Sequence, residues 1–131
     1  MSKKNIKGYK SITYMDILEL SKALELEADN REFELTTKIA LAKLRNELQS
    51  KLEIYKEVRD SLIKKHGETE DGKNYFIKSD DIDKRNAFLL EKEELDKTEV
   101  KLDNIFQLKA KNIPKSVSNK FIYTFEPFII D

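Results

Sequence analysis

Between residues 35 and 63, apolar side chains recur at Leu41, Leu44, Leu48, Tyr55, Val58 and Leu62, in steps of 3, 4, 7, 3 and 4 residues. This is a heptad seam, and Lys51 stands at the one position where an apolar residue is due. Asp29 or Asn30 is placed to cap its start, and Gly67 stands where a helix would stop. The pattern predicts one helix over 31–66, about 35 residues and roughly 50 Å long at 1.5 Å per residue. A seam of that length needs cover, from elsewhere in the chain or from a second copy. Lys51 either fixes register as a polar core residue or carries its ammonium past the seam edge on an apolar stem.

Composition narrows the object further. Charged residues are 38% of the chain, hydrophobic residues 39%, and mean hydropathy is −0.65. That apolar fraction, in so periodic an arrangement, predicts a folded chain of 131 residues in a single domain. The 25 Lys and Arg balance 25 Asp and Glu, so no overall field draws in nucleic acid or an anionic membrane. Residues 1–12 are basic, with Lys3, Lys4, Lys7 and Lys10, and read as a solvated tail or an edge strand. With no cysteine, disulfides and thiolate metal sites are excluded. The first residues lack a signal-peptide core and no apolar run approaches about 18 residues, so a cytoplasmic location is expected.

Around the seam the remaining elements fall into order. Thr13 with Asp16 three residues on has the form of a capping box. Ile17, Leu20, Leu24 and Ala28 follow at helical spacing, which predicts a first helix over 14–28. Asp29-Asn30 breaks or bends the chain there, unless a single longer rod runs through. Residues 67–73 form a turn in which Asp71-Gly72 favours positive φ, and Tyr75, Phe76 and Ile77 make a short strand. Ser79 is placed to cap a third helix over 80–96, with Asp80 and Asp81 at its positive end. Val100, Leu102, Phe106 and Leu108 alternate with polar residues and predict a strand, bulged at Asp103-Asn104 and paired with Tyr75-Phe76-Ile77. Pro114 starts a short last helix in which Val117, Phe121, Phe125 and Phe128 recur, ending before Pro127. The expected fold is therefore mainly α. It is an antiparallel helical hairpin, coiled-coil-like, with a small two-stranded β element and a short C-terminal helix.

Chemistry is thin along this chain. His66 is the only histidine, and three glycines at 8, 67 and 72 cannot supply a phosphate-binding loop. The acidic run from 68 to 72 lacks the ligand order of a calcium loop. Glu91, Glu93 and Glu94 point in different directions on a helix and form no acid/base pair. No enzyme activity, cofactor or metal is therefore expected. Aromatics are the richer group. Phe106, Phe121, Tyr123, Phe125 and Phe128, with Tyr75 or Phe76, either close a small core at the hairpin base or present a patch to a partner. The candidate partner surface is Phe121, Tyr123, Phe125, Phe128 and Ile130 with Lys115 and Lys120. Lys109 and Lys111 join those lysines as candidates for a nucleotide site beside Tyr123.

The run 55–62 (Tyr-Lys-Glu-Val-Arg-Asp-Ser-Leu), then Gly67-Glu68, Asp71-Gly72-Lys73 and Tyr75-Phe76-Ile77, leads into an acidic helix. Thr98-Glu99-Val100-Lys101-Leu102 and the finish Phe125-Glu126-Pro127-Phe128-Ile129 follow. This layout resembles the small helical-hairpin proteins of tailed phages and prophages of Gram-positive bacteria. The resemblance covers about residues 35–131 and carries no catalytic residues. It implies a phage gene acting inside a bacterial cell. The expected function is a non-enzymatic interaction protein that binds and inhibits a host defence or nucleic-acid-processing factor, in one variant as an oligomer sequestering a nucleotide signal. The alternative is a virion-assembly or tail-associated protein acting through the seam. The expected partner is a host protein or a second copy, with a nucleotide as a further ligand; nucleic acid is disfavoured and no membrane is involved.

Overall fold

The computed structural model describes residues 11–103 and 106–131. The basic segment 1–10 and Asn104 of the expected bulge lie outside the described residues. The described chain is mainly helical with small two-stranded sheets. In order, β1 is Ser11–Thr13, α1 Tyr14–Leu26, α2 Leu35–His66, β2 Glu68–Thr69, β3 Tyr75–Phe76, α3 Ile82–Lys97, β4 Glu99–Lys101, β5 Leu108–Lys109, α4 Asn119–Phe125 and β6 Ile129–Ile130. Short 3-10 turns at Ala110–Asn112 and Glu126–Phe128 complete the C-terminal segment.

α1 begins where local chemistry satisfies its free amides. The Thr13 side chain accepts from the Asp16 amide at 3.2 Å, and the Asp16 carboxylate accepts from the Thr13 amide at 3.1 Å. This reciprocal pair is a capping box. Removing it in Thr13→Ala should lower stability by about 1 kcal/mol, read as a reduced midpoint in chemical denaturation with an unchanged slope.

α2 starts later than the sequence suggests, at Leu35, and its N-cap Glu34 makes no side-chain cap bond. Asn30 shapes the preceding turn instead. Its carbonyl accepts from the Glu32 amide at 2.9 Å, and its amide donates to Glu27 and to Ser116, each at 3.1 Å. Phe33 is buried in the core, which draws the chain inward before the helix starts. α1 and α2 are therefore separate helices. At 32 residues α2 is about 48 Å long. It ends at Gly67, where a Cβ would stand 2.4 Å from the Phe76 carbonyl oxygen and 2.6 Å from that of Ile63. Only a residue without a side chain fits so close an approach. Gly72 holds φ at 74°, the conformation that Asp-Gly turn chemistry favours.

The third helix is capped by Asp81 rather than Ser79: its carboxylate accepts from the Lys84 amide at 3.2 Å. Residues 78–82 form turns first, through Asp81 to Lys78 and Ile82 to Asp80 backbone bonds.

Strand pairing departs furthest from expectation. β4 pairs antiparallel with β1, Ile12 opposite Val100, and not with Tyr75-Phe76-Ile77. β3 pairs with β2 in a local hairpin. β5 pairs in parallel with β6, Leu108 opposite Ile129. Each strand has two or three residues, too few for alternation to select a partner, so the packing of the helices selects it. The last helix begins after Ser118, whose hydroxyl accepts from the Phe121 amide at 3.1 Å. Pro114 lies in the preceding irregular segment.

The core lies at one end of the molecule. It joins Ile17, Leu20 and Leu24 of α1, Leu44 and Leu48 of α2, Leu102, Leu108, and the C-terminal phenylalanines. α2 packs against both α1 and α3. Among the described residues, α2 buries no apolar side chain beyond Tyr55, and α3 buries only Asp96.

Candidate functional site

The C-terminal aromatics are held inward by the geometry of α4. Phe121 and Phe125, one turn apart, are both fully buried and stack with ring centroids 4.4 Å apart. Phe106 and Phe128 close around Phe125 at 6.1 and 6.4 Å, and Phe33 meets Phe121 at 6.0 Å. Three candidate partner residues, Phe121, Phe125 and Phe128, are thus core side chains and present no face to a partner. The spacing of 4 and 3 that made them a stripe also turns them together toward α1. Tyr123, on the opposite side of α4, is 79% exposed. Ile130 is half-buried beside Lys109 in the parallel pair. Lys115 is exposed, and Lys120 donates to Glu19 of α1 at 3.0 Å, which holds the Glu19 carboxyl below its ordinary range. The expected aromatic and lysine cluster is therefore not one surface.

A second set of contacts fixes this segment and has no counterpart in the sequence reading. Glu27 is buried and accepts from the Ser118 amide at 3.0 Å and from Asn30 at 3.1 Å. Ser116 donates to Glu32 at 2.9 Å. The α1–α2 turn thereby grips the approach to α4.

Along the seam, Leu44, Leu48 and Tyr55 are buried, Leu41, Lys51 and Leu62 are half-buried, and Val58 is exposed. α1 supplies the cover for the first part. The Lys51 ammonium lies 3.7 Å from the exposed Asp103 carboxylate, so it leaves the seam at its edge. Where α1, α2 and α3 meet, the Tyr55 hydroxyl donates to Asp96 at 2.6 Å and Lys92 donates to the other Asp96 oxygen at 2.9 Å. The Tyr14 ring lies 5.5 Å from that of Tyr55. Asp96 was missed because, in sequence, it is one acid among many; only Lys92 four residues before it is a signal.

Burial, then the Asp96 hydrogen bond, push the Tyr55 hydroxyl up from its usual range, and the Asp96 hydrogen bond raises Lys92. Both groups hold protons more tightly folded than unfolded. Their contribution is complete below about pH 10 and is lost as pH rises through the raised folded values. Asp96→Ala should remove about 2 kcal/mol at neutral pH, because it leaves a buried hydroxyl and an ammonium without their acceptor. It should also flatten the fall of melting temperature above pH 10 that the parent chain shows in an alkaline melting series.

The distal part of α2 and α3 has a different character. Ile82 and Leu90 of α3 are 66% and 67% exposed, and Ile54 and Val58 of α2, Phe76 of β3 and Leu89 of α3 are exposed as well. An apolar groove of about 460 Å³ runs between Ile63, Tyr75, Phe76, Ile77, Phe88 and Leu89. At its end, Lys65 donates to Glu91 at 2.6 Å, which lowers the Glu91 carboxyl, and His66 Nε2 lies 3.3 Å from the same carboxylate. The acidic turn beside it is self-contained: Asp71 accepts from the Lys73 and Asn74 amides at 2.8 Å and from Thr69 at 3.1 Å. Those hydrogen bonds hold its carboxyl far below the ordinary range.

Among the described residues, no group of three His, Cys, Asp or Glu side chains is placed to hold a metal ion. No helix among them is long and apolar enough to cross a membrane. No protein-family model matches the chain, and neither a curated protein nor a solved structure matches it.

Proposed function

We propose that the chain is a non-enzymatic, phage-encoded interaction protein that docks the distal α2–α3 arm on a host factor and inhibits it. One observation carries this reading: along the arm Ile54, Val58, Phe76, Ile82, Leu89 and Leu90 are all exposed, while among the described residues α3 buries no apolar side chain and α2 none after Tyr55. Large apolar side chains left exposed on one part of a chain mark candidate protein–protein sites. In this reading α2 and α3 form an antiparallel, coiled-coil-like hairpin. The facing of Tyr55 with Asp96 and of Lys65 with Glu91 supports it. The resemblance of the sequence layout to phage helical-hairpin proteins is the ground for placing it inside a bacterial cell.

The test is co-purification of the tagged full chain from a Gram-positive lysate, followed by assay of the captured factor. An Ile82→Lys/Leu90→Glu double variant should fold normally, because both side chains are solvent-exposed. It should lose the partner and the inhibition. Tyr123→Ala should retain both. Retention of the partner by the arm variant would overturn the proposal. Isolation of nothing but copies of this chain would favour the assembly alternative acting through Val58 and Leu62.

A further inference from the structure

The apolar groove beside β3 has walls that the chain's own contacts fix. The close approach of the Phe76 carbonyl to Gly67 sets β3 against the end of α2, and the β2–β3 hairpin holds Phe76 opposite Glu68. Lys64 of α2 lies 5.4 Å from the Tyr75 ring centroid, a cation–π contact that ties this ring to the helix. Ile63 of α2 and Phe88 of α3, both half-buried, line the groove with Tyr75. Phe76 and Leu89 line it too and are left exposed. Arg85, near the start of α3, is the one charged residue that lines it, and no carboxylate does so among the described residues. Among those residues Arg85 is held in no ion pair. Its neighbours are: Lys78 lies 3.1 Å from Glu68, and Lys84 lies 4.0 Å from Glu68 and 3.7 Å from Asp81.

An apolar groove with one unpaired guanidinium is complementary to an apolar segment that carries a carboxylate, whose two oxygens match the paired donors of arginine. β3 has two residues, too few for a partner strand to dock through main-chain hydrogen bonds. Anchoring by side chains is the mode left, as where an amphipathic helix lays its apolar face into a groove. We infer that this groove takes an acidic amphipathic helix of the partner protein, whose apolar side chains enter between Tyr75, Phe76, Phe88 and Leu89 and whose carboxylate meets Arg85. The inference rests on the reading that the arm docks a partner, and adds the chemistry that the partner brings. The two fail separately, since Ile82 and Leu90 test the arm and Arg85 tests the charge of what fills the groove.

The experiment titrates the full-length, isotope-labelled chain with the capped peptide acetyl-Leu-Glu-Ala-Leu-Leu-Glu-Ala-Leu-Leu-Glu-Ala-amide and, separately, with its counterpart in which Lys replaces each Glu, following amide shifts. The glutamate peptide should saturate one site whose shifts centre on residues 75–89. The lysine peptide should bind about threefold more weakly or worse, since an exposed ion pair accounts for a factor of that order. Arg85 is exposed, so Arg85→Glu should melt with the parent chain, and its preference should invert in favour of the lysine peptide. Leu89→Gln should weaken both peptides alike. The inference is overturned by the absence of a saturable shift at millimolar glutamate peptide, by equal binding of the two peptides to the parent chain, or by a preference that Arg85→Glu leaves unchanged. Retention of a captured host factor by Ile82→Lys/Leu90→Glu overturns the arm reading instead, and the peptide titration takes no part in that result.

Discussion

Leu48→Asp should leave the chain without a cooperative unfolding transition. Leu48 is fully buried near the middle of α2, where α1 packs across the helix. A carboxylate there has no partner, and burying an isolated charge costs several kcal/mol even after the group shifts toward its neutral form. The lost burial of the leucine adds about 2 kcal/mol more. Together these approach the 5–15 kcal/mol that holds a typical domain. Circular dichroism during heating should therefore show a broad, low-temperature loss of helix. Ile54→Asp is the control: that side chain is 51% exposed on the same helix, and its variant should melt with the parent chain. Equal melting of both variants would contradict the placement of α1 over the seam.

Phe125→Ala should cost about 3–5 kcal/mol, the range for deleting a buried aromatic ring. Three further rings, Phe121, Phe106 and Phe128, contact it, so the cavity left behind is lined by rigid groups that cannot collapse far into it. Tyr123→Ala, two residues away and on the solvent side, should stay within about 0.5 kcal/mol of the parent chain. Denaturant titration of both variants measures this contrast. Similar losses would mean that α4 is rotated and that its aromatic stripe faces outward.

How much of this was legible beforehand differs by the range of the interaction responsible. The long helix is written in local periodicity and in Gly67, and the α1 cap in the Thr13–Asp16 pair, because both depend on neighbours a few residues apart. The start of α2 was misplaced because Asn30 forms a turn with Glu32 and reaches Ser116, far along the chain. The pairing of β1 with β4 joins residues about 90 positions apart through three-residue strands, and no alternation pattern that short names its partner. Phe121 and Phe125 were visible as a helical stripe, but a stripe does not reveal whether it meets this chain's own core or another molecule. Their ring contacts with Phe33 and Phe106 require three-dimensional neighbours. The buried acids Glu27 and Asp96 were hidden among the 25 acidic residues of a chain that is 38% charged, since nothing local separates them from solvated ones.

The exposed arm is the central claim, and native mass spectrometry of the tagged chain drawn gently from a bacterial lysate tests it most directly. The account predicts a discrete mass equal to this chain plus a host protein, absent when Ile82→Lys/Leu90→Glu is used in its place. The contradicting result is a complex that persists unchanged in the arm variant, or a chain that leaves the lysate bare.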